Sequence, residues 1–80
     1  PVDGKTFVVT GDVHIFKNRK EVEVKIEELG GKLSGSVSKK TDYLINNDIE
    51  STSSKNQKAK TLGIPIITEE QFCEMIGMQY

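Results

Sequence analysis

A short, uninterrupted apolar run near the start of the chain constrains the fold more than any other feature. Phe7, Val8 and Val9 follow one another with no polar residue between them. They lie inside a predicted strand from Lys5 to Thr10, which Gly11 ends. A strand covered on both faces has this pattern, whereas a half-exposed strand alternates apolar and polar residues. The run therefore predicts a central strand of a sheet with helices on both faces.

The first predicted helix begins at a capping signal. Asn18 followed by Glu21 matches the Asx form of a capping box, and Gly30-Gly31 supplies the stop. Apolar and polar residues alternate between these two points, which is also a strand pattern. A helix is favoured because the main apolar residues share one helical face. These inward residues are Val22, Ile26 and Leu29.

Two further helices are predicted from the same kind of signal. The second helix is capped by Ser54, with Gln57 three residues later, and ends at Gly63. The third helix is capped by Thr68, with Gln71 three residues later, and ends at Gly77. The inward-facing residues are Ala59 and Leu62 in the second helix, and Phe72, Met75 and Ile76 in the third.

Three more strands are predicted between the helices, at Lys32 to Ser34, Tyr43 to Ile45 and Ile64 to Ile67. The Tyr43 strand is apolar without alternation and so is central. The Lys32 strand is short and polar, and Pro65 cannot donate a ladder hydrogen bond, so both of these strands are edges. The order β-α-β-β-α-β-α predicts an α/β fold, with a four-stranded parallel sheet in the order 2-1-3-4 flanked by three helices. Right-handed crossovers place the first two helices on opposite faces.

Composition and length exclude several functional classes. Eighty residues with 35% hydrophobic and 29% charged side chains form one domain, residues 1–80, and the missing initiator Met and signal peptide indicate a piece of a longer protein. One Cys and one His give no disulfide and no zinc site, and Cys73 is interpreted as a core residue rather than a nucleophile. No apolar run is long enough to span a membrane. A net charge of −1 excludes a generally basic nucleic-acid surface.

The predicted topology brings four residues to one edge of the sheet. Ligands of open parallel sheets bind outside the carboxyl ends of the strands, where the strand order reverses. Thr10 and Gly11 end the first central strand, and the helices that open near Arg19 and Lys55 start at the same edge. A hydroxyl, an approachable backbone, an Arg fork and a helix N-terminus together make a phosphate site.

These features resemble the BRCT domain family over essentially the whole chain. The matching segments are Gly-Lys-Thr-Phe-Val-Val-Thr-Gly at 4–11, Arg19, Leu-Gly-Gly-Lys at 29–32, Val-Ser-Lys-Lys-Thr-Asp-Tyr-Leu-Ile at 37–45, Lys55, Ala-Lys-Thr-Leu-Gly-Ile-Pro-Ile-Ile at 59–67 and Glu-Glu-Gln-Phe at 69–72. The chain is most similar to the single-copy type of bacterial NAD-dependent DNA ligases, of exonuclease-like proteins and of the clamp-loader large subunit.

The resemblance implies a non-catalytic module of a DNA replication or repair protein that binds a DNA end or nick through its 5′-phosphate. The implied phosphate-binding residues are the same four, Thr10, Gly11, Arg19 and Lys55. Lys39, Lys40 and Lys58 are candidates for additional DNA contacts. Neither a metal nor a cofactor is expected. The expected location is intracellular, cytoplasmic in a bacterium and nuclear in a eukaryote, and the expected state is a monomer.

A protein-interaction domain remains the alternative function. In that case a partner protein, in one version a phosphopeptide, docks on the domain and the phosphate pocket is weak or vestigial. The near-neutral charge and the carboxylate of Asp12, next to the proposed phosphate site, favour this alternative.

Overall fold

The computed structural model of the chain describes residues 2–79. This part of the chain contains four strands and three helices. In chain order they are β1 (Thr6–Val9), α1 (Arg19–Glu28), β2 (Lys32–Leu33), β3 (Tyr43–Ile45), α2 (Ser54–Leu62), β4 (Ile66–Ile67) and α3 (Glu69–Ile76).

The four strands form one sheet in the order β2-β1-β3-β4, and every pair is parallel. β1 lies between β2 and β3, with Phe7 opposite Leu33 on one side and opposite Tyr43 on the other. The predicted α/β fold, strand order and central position of β1 are therefore confirmed.

Side chains of β1 point alternately to the two faces of the sheet, and each face has its own core. Phe7 and Val9 contribute to the larger core, which α1 and α3 cover, whereas Val8 contributes to the smaller core under α2. The first two helices thus lie on opposite faces, as right-handed crossovers require. The buried residues of the larger core are Val2, Phe7, Val9, Phe16, Val22, Ile26, Ile45, Ile67, Phe72 and Cys73. Those of the smaller core are Val8, Val37, Leu44, Ala59 and Ile64.

An aromatic cluster fills the centre of the larger core. The ring of Phe7 stacks on Tyr43 at a centroid distance of 5.3 Å and meets Phe72 edge-on at 5.9 Å. Phe16, from the loop between β1 and α1, lies 6.1 Å from Phe72. The loop that leads from the end of β1 to α1 is therefore anchored in the core by one of its own side chains.

Helix ends follow the predicted capping signals with two corrections. Asn18 and Thr68 cap α1 and α3 as predicted. The cap of α2, however, is Ser53 and not Ser54, because the Ser53 side chain accepts from the N–H of Asn56. Leu29 was predicted to face inward, which is wrong. It lies beyond the last helical residue, at the C-cap of α1, and is 40% exposed.

Candidate functional site

The backbone at the end of β1 allows close approach. Thr10 continues the sheet by donating its N–H to the Ile45 carbonyl at 3.0 Å, and its side chain is half-buried. Gly11 follows with φ +80°, a value that side chains disfavour. A Cβ added at Gly11 would lie 2.5 Å from Asn46 Oδ1. Within residues 2–79 the Gly11 N–H donates to no acceptor, so it is available to a ligand.

Arg19 is the first residue of α1 and is exposed. Asn18 Oδ1 accepts from the N–H of Glu21 at 2.9 Å, and Glu21 Oε1 accepts from the N–H of Lys17 at 3.1 Å. These bonds fix the first turn of the helix. Across the described part of the chain, no carboxylate pairs with the Arg19 guanidinium. Its cation therefore stays available beside a helix N-terminus, which itself attracts anions.

A buried pair of amides fixes the start of α2, where Lys55 lies half-buried. Asn46 follows β3, and its Nδ2 donates to Asn56 Oδ1 at 2.7 Å. Asn56 is fully buried and donates in turn to the Ile49 carbonyl at 2.8 Å. Sequence reasoning did not single out this pair. The signal available was an amide directly after a central strand and a second amide on the inner face of the next helix.

The four predicted phosphate ligands lie around one rim of the sheet without converging in a single cavity. Arg19 and Lys55 line the same surface groove, together with Val9 at the end of β1. Gly11 shares a second groove with Arg19 and a third with Thr10. Gly11 thus lies between the groove that contains Arg19 and the concavity that contains the Thr10 hydroxyl, while Lys55 lies in a groove that Gly11 does not line.

Charge is unevenly distributed along this rim. The groove of Arg19 and Lys55 also contains Lys20, and Glu23 is its acidic member. The concavity around Thr10 contains two carboxylates, Asp12 and Asp48, and no Lys or Arg. An anion is therefore favoured on the side of α1 and α2 and disfavoured beyond Thr10.

The candidates for additional DNA contacts occupy two different places, and all three are exposed. Lys58 lies one turn after Lys55 on α2 and does not line the groove of Arg19 and Lys55. Lys39 and Lys40 lie just before β3. The start of β3 lies beside the start of β1, because the Asp42 N–H donates to the Thr6 carbonyl at 2.8 Å. That is the amino-terminal edge of the sheet, opposite the rim.

Sequence reasoning missed a role for Glu69, a carboxylate that is only 1% exposed at the start of α3. It accepts the backbone N–H groups of His14, Ile15 and Phe16 and the side-chain amide of Asn47. Burial alone would raise the pKa of Glu69, but these hydrogen bonds together outweigh it and hold the pKa below its ordinary value. An acid in the first turn of a helix was the only sequence signal.

Cys73 is the one thiol of the chain, and its side chain is buried. Burial, followed by the charges of Glu69 and Glu70, raises the pKa of the Cys73 thiol, which packs in the larger core. Within residues 2–79 no three His, Cys, Asp or Glu side chains are grouped to hold a metal ion. None of the helices in this part of the chain combines the length and apolar character needed to cross a membrane.

Comparison with known proteins identifies relatives that are much longer than this chain. The chain is 60% identical over 74 residues to a DNA ligase of Lachnoclostridium phytofermentans, covering 92% of the chain and 11% of that protein. It is 61% identical over 71 residues to a DNA ligase of Ruminiclostridium cellulolyticum, covering 89% of the chain and 11% of that protein. The chain thus spans about a tenth of the length of these curated relatives.

The family model of the BRCA1 C Terminus (BRCT) domain matches residues 1–76. The matched residues include all four strands and all three helices described above. They also include the rim that carries Thr10, Gly11, Arg19 and Lys55. The chain belongs to the BRCT domain family.

Proposed function

We propose that this chain is a non-catalytic module of a DNA ligase that recognises a DNA end or nick through its 5′-phosphate. The observation that carries the proposal is the rim itself. Thr10, Gly11, Arg19 and Lys55 line neighbouring grooves there. The donors proposed to bind phosphate make no hydrogen bond or ion pair within residues 2–79. The names of the bacterial relatives support the DNA ligase setting, and with it a location inside the cell.

Each residue has a distinct role in the proposed binding. The Thr10 hydroxyl and the Gly11 N–H donate to phosphate oxygens, while Arg19 and Lys55 supply positive charge from the starts of α1 and α2. Hydrogen bonds to charged groups contribute about 1.5–3 kcal/mol each. A few of them, offset by the entropy of association, give binding in about the micromolar range.

Two nicked duplexes that differ in one group test the proposal. One carries a 5′-phosphate at the nick and the other a 5′-hydroxyl, and both are titrated with the chain at fixed salt by fluorescence anisotropy. We expect at least tenfold tighter binding of the phosphorylated nick, about the contribution of one charged hydrogen bond. Arg19→Ala and Lys55→Ala each reduce that preference, because each removes a charge from the groove.

The matched control is Lys5→Ala, which removes an exposed charge just before β1, at the opposite edge of the sheet. It leaves the preference for the phosphorylated nick unchanged. Equal affinity of the wild-type chain for both duplexes would overturn the proposal. So would an unchanged preference in both the Arg19→Ala and the Lys55→Ala variants.

A protein-interaction domain is the second candidate function, and a different surface favours it. Val24 in α1 and Leu29 at its C-cap are 41% and 40% exposed. Val24 lines an apolar groove with Phe16 and Met78. The test is whether the chain captures a purified protein that binds the DNA ligase. For this candidate, capture persists after phosphatase treatment and in the Lys55→Ala variant, whereas Val24→Lys abolishes it.

A further inference from the structure

The buried carboxylate of Glu69 joins the two loops that carry the proposed phosphate site. Its Oε2 accepts from the N–H groups of Ile15 and Phe16 at 3.0 and 2.9 Å. Its Oε1 accepts from the N–H of His14 and from Asn47 Nδ2, at 2.6 Å in the second case. Three consecutive N–H groups of the loop between β1 and α1 therefore donate to one carboxylate. That carboxylate belongs to a residue more than fifty positions later in the chain.

Asn47 extends this arrangement to the loop between β3 and α2. Its Nδ2 also donates to the Asp12 carbonyl at 3.0 Å, and its Oδ1 accepts from the Glu69 N–H at 2.8 Å. Glu69 and Asn47 thus hold each other through two hydrogen bonds, one of them from the Glu69 backbone. Together they bind four residues of the first loop, Asp12, His14, Ile15 and Phe16. Neither side chain lines the groove of Arg19 and Lys55, whereas Asn47 also lines the concavity of Thr10 and Gly11.

The two loops that meet at Glu69 lead directly to the site. One runs from Gly11 to the start of α1 at Arg19, and the other runs from the end of β3 to the start of α2, which carries Lys55. The relative position of the two loops therefore sets the distances among the Gly11 N–H, the Arg19 guanidinium and the Lys55 ammonium group. We infer that Glu69, acting with Asn47, is a positioning residue that holds the two halves of the phosphate site in register.

The role requires a carboxylate and not merely a polar side chain of that size. Each oxygen of Glu69 faces two donors. In Glu69→Gln one oxygen becomes an amide NH₂, which is itself a donor. Whichever way the amide turns, two donors then lose their acceptor, and buried donors without acceptors drive local rearrangement. The loop of residues 12–17 therefore shifts, while the cores on both faces of the sheet keep all their apolar side chains.

The experiment measures the preference for a phosphorylated nick, defined as the ratio of the dissociation constants for the 5′-hydroxyl and 5′-phosphate duplexes. We expect Glu69→Gln to lower this ratio about tenfold, the low end of the effect that orienting partners have at metal sites. Asn47→Ala lowers it as well, because it removes the link between the loops and leaves the three backbone bonds to Glu69 in place.

Two control variants separate positioning from general destabilisation. Val37→Ala removes a buried side chain from the smaller core, on the face away from α3, and lowers stability without touching either loop bond. Glu74→Gln removes an exposed charge from the same helix as Glu69. Both leave the preference ratio unchanged, whereas a purely structural role of Glu69 would make Val37→Ala and Glu69→Gln behave alike at equal stability.

This positioning role rests on the proposed function, and the results separate the two. A wild-type chain without preference for the phosphorylated nick overturns both. A wild-type preference that Glu69→Gln and Asn47→Ala both retain, with native circular dichroism, overturns the positioning role alone. If Glu69→Gln does not fold, the Asn47→Ala ratio decides the matter in the same way.

Discussion

Replacing Gly11 by Ala tests the geometry at the end of β1 most directly. Alanine in the left-handed backbone region costs about 1–2 kcal/mol. The new Cβ would also lie 2.5 Å from Asn46 Oδ1, which accepts from the Asp48 N–H at 3.0 Å. Because Asn46 is buried and bonded to Asn56, its amide has to move and weaken those bonds, at about 0.5–1.5 kcal/mol each. We expect a total loss of about 2–5 kcal/mol for Gly11→Ala.

Gly63→Ala is the matched control for the backbone effect. Gly63 has φ +71°, close to the +80° of Gly11, but a Cβ there meets no atom within 4 Å. Its cost is therefore the backbone strain alone, about 1–2 kcal/mol. Urea unfolding followed by circular dichroism gives both values, since a two-state domain of this size has a slope of about 1 kcal/mol per molar urea. We expect the Gly11→Ala midpoint to fall by about 1–3 M more than the Gly63→Ala midpoint.

A double-mutant cycle identifies the source of the extra loss. In an Asn46→Ala background the added methyl group at Gly11 no longer meets the amide, so the two variants should then cost the same. Equal midpoints for Gly11→Ala and Gly63→Ala in the natural sequence would refute the close contact between Gly11 and Asn46. An extra cost that persists in the Asn46→Ala background would assign it to another neighbour.

Two further predictions concern the larger core and the buried carboxylate. Phe72→Ala should lower the free energy of unfolding by about 3–5 kcal/mol, because it empties the centre of the aromatic cluster; Met75→Ala, at a half-buried site, should cost clearly less in the same urea assay. The lowered pKa of Glu69 makes its ionised form stabilising above the ordinary value of 4.5, and that contribution is lost as the pH falls through the folded-state pKa. The difference in free energy of unfolding between wild type and Glu69→Gln should therefore be constant near neutral pH and shrink below about pH 4.5; a difference that grows in acid would contradict the lowered pKa.

Local signals explain why the fold was predictable from the sequence. The caps at Asn18 and Thr68 and the stop at Gly77 act within one turn of their own helix, so neighbouring residues reveal them. The apolar runs of β1 and β3 record burial on both faces, which determines their central position. Where several neighbouring residues could act as the cap, the first residue of the helix is ambiguous from the sequence. Four hydroxyl residues in a row, 51–54, offer equivalent caps, and only the contact to Asn56 selects Ser53.

The site was predictable only in part, for the same reason. The topology brings Thr10, Gly11, Arg19 and Lys55 to one edge because each lies at the end or start of an element. The hydrogen bonds of Glu69 reach 53 to 55 residues back along the chain, to backbone groups that carry no sequence signature. The pairing of Asn46 with Asn56 is likewise visible only after α2 has packed on the sheet.

The position of β1 has a consequence for how the domain folds. The first strand of the chain is also a central one, and Phe7 pairs with Leu33 and Tyr43, 26 and 36 residues later. All strand pairs within residues 2–79 are parallel, so none of them is a hairpin. Loop closure therefore has to precede every strand pairing, and such topologies fold slowly. During synthesis both edges of β1 stay unpaired until β2 and β3 have left the ribosome. In that interval the apolar segment Phe7–Val9 is open to pairing with another copy of itself.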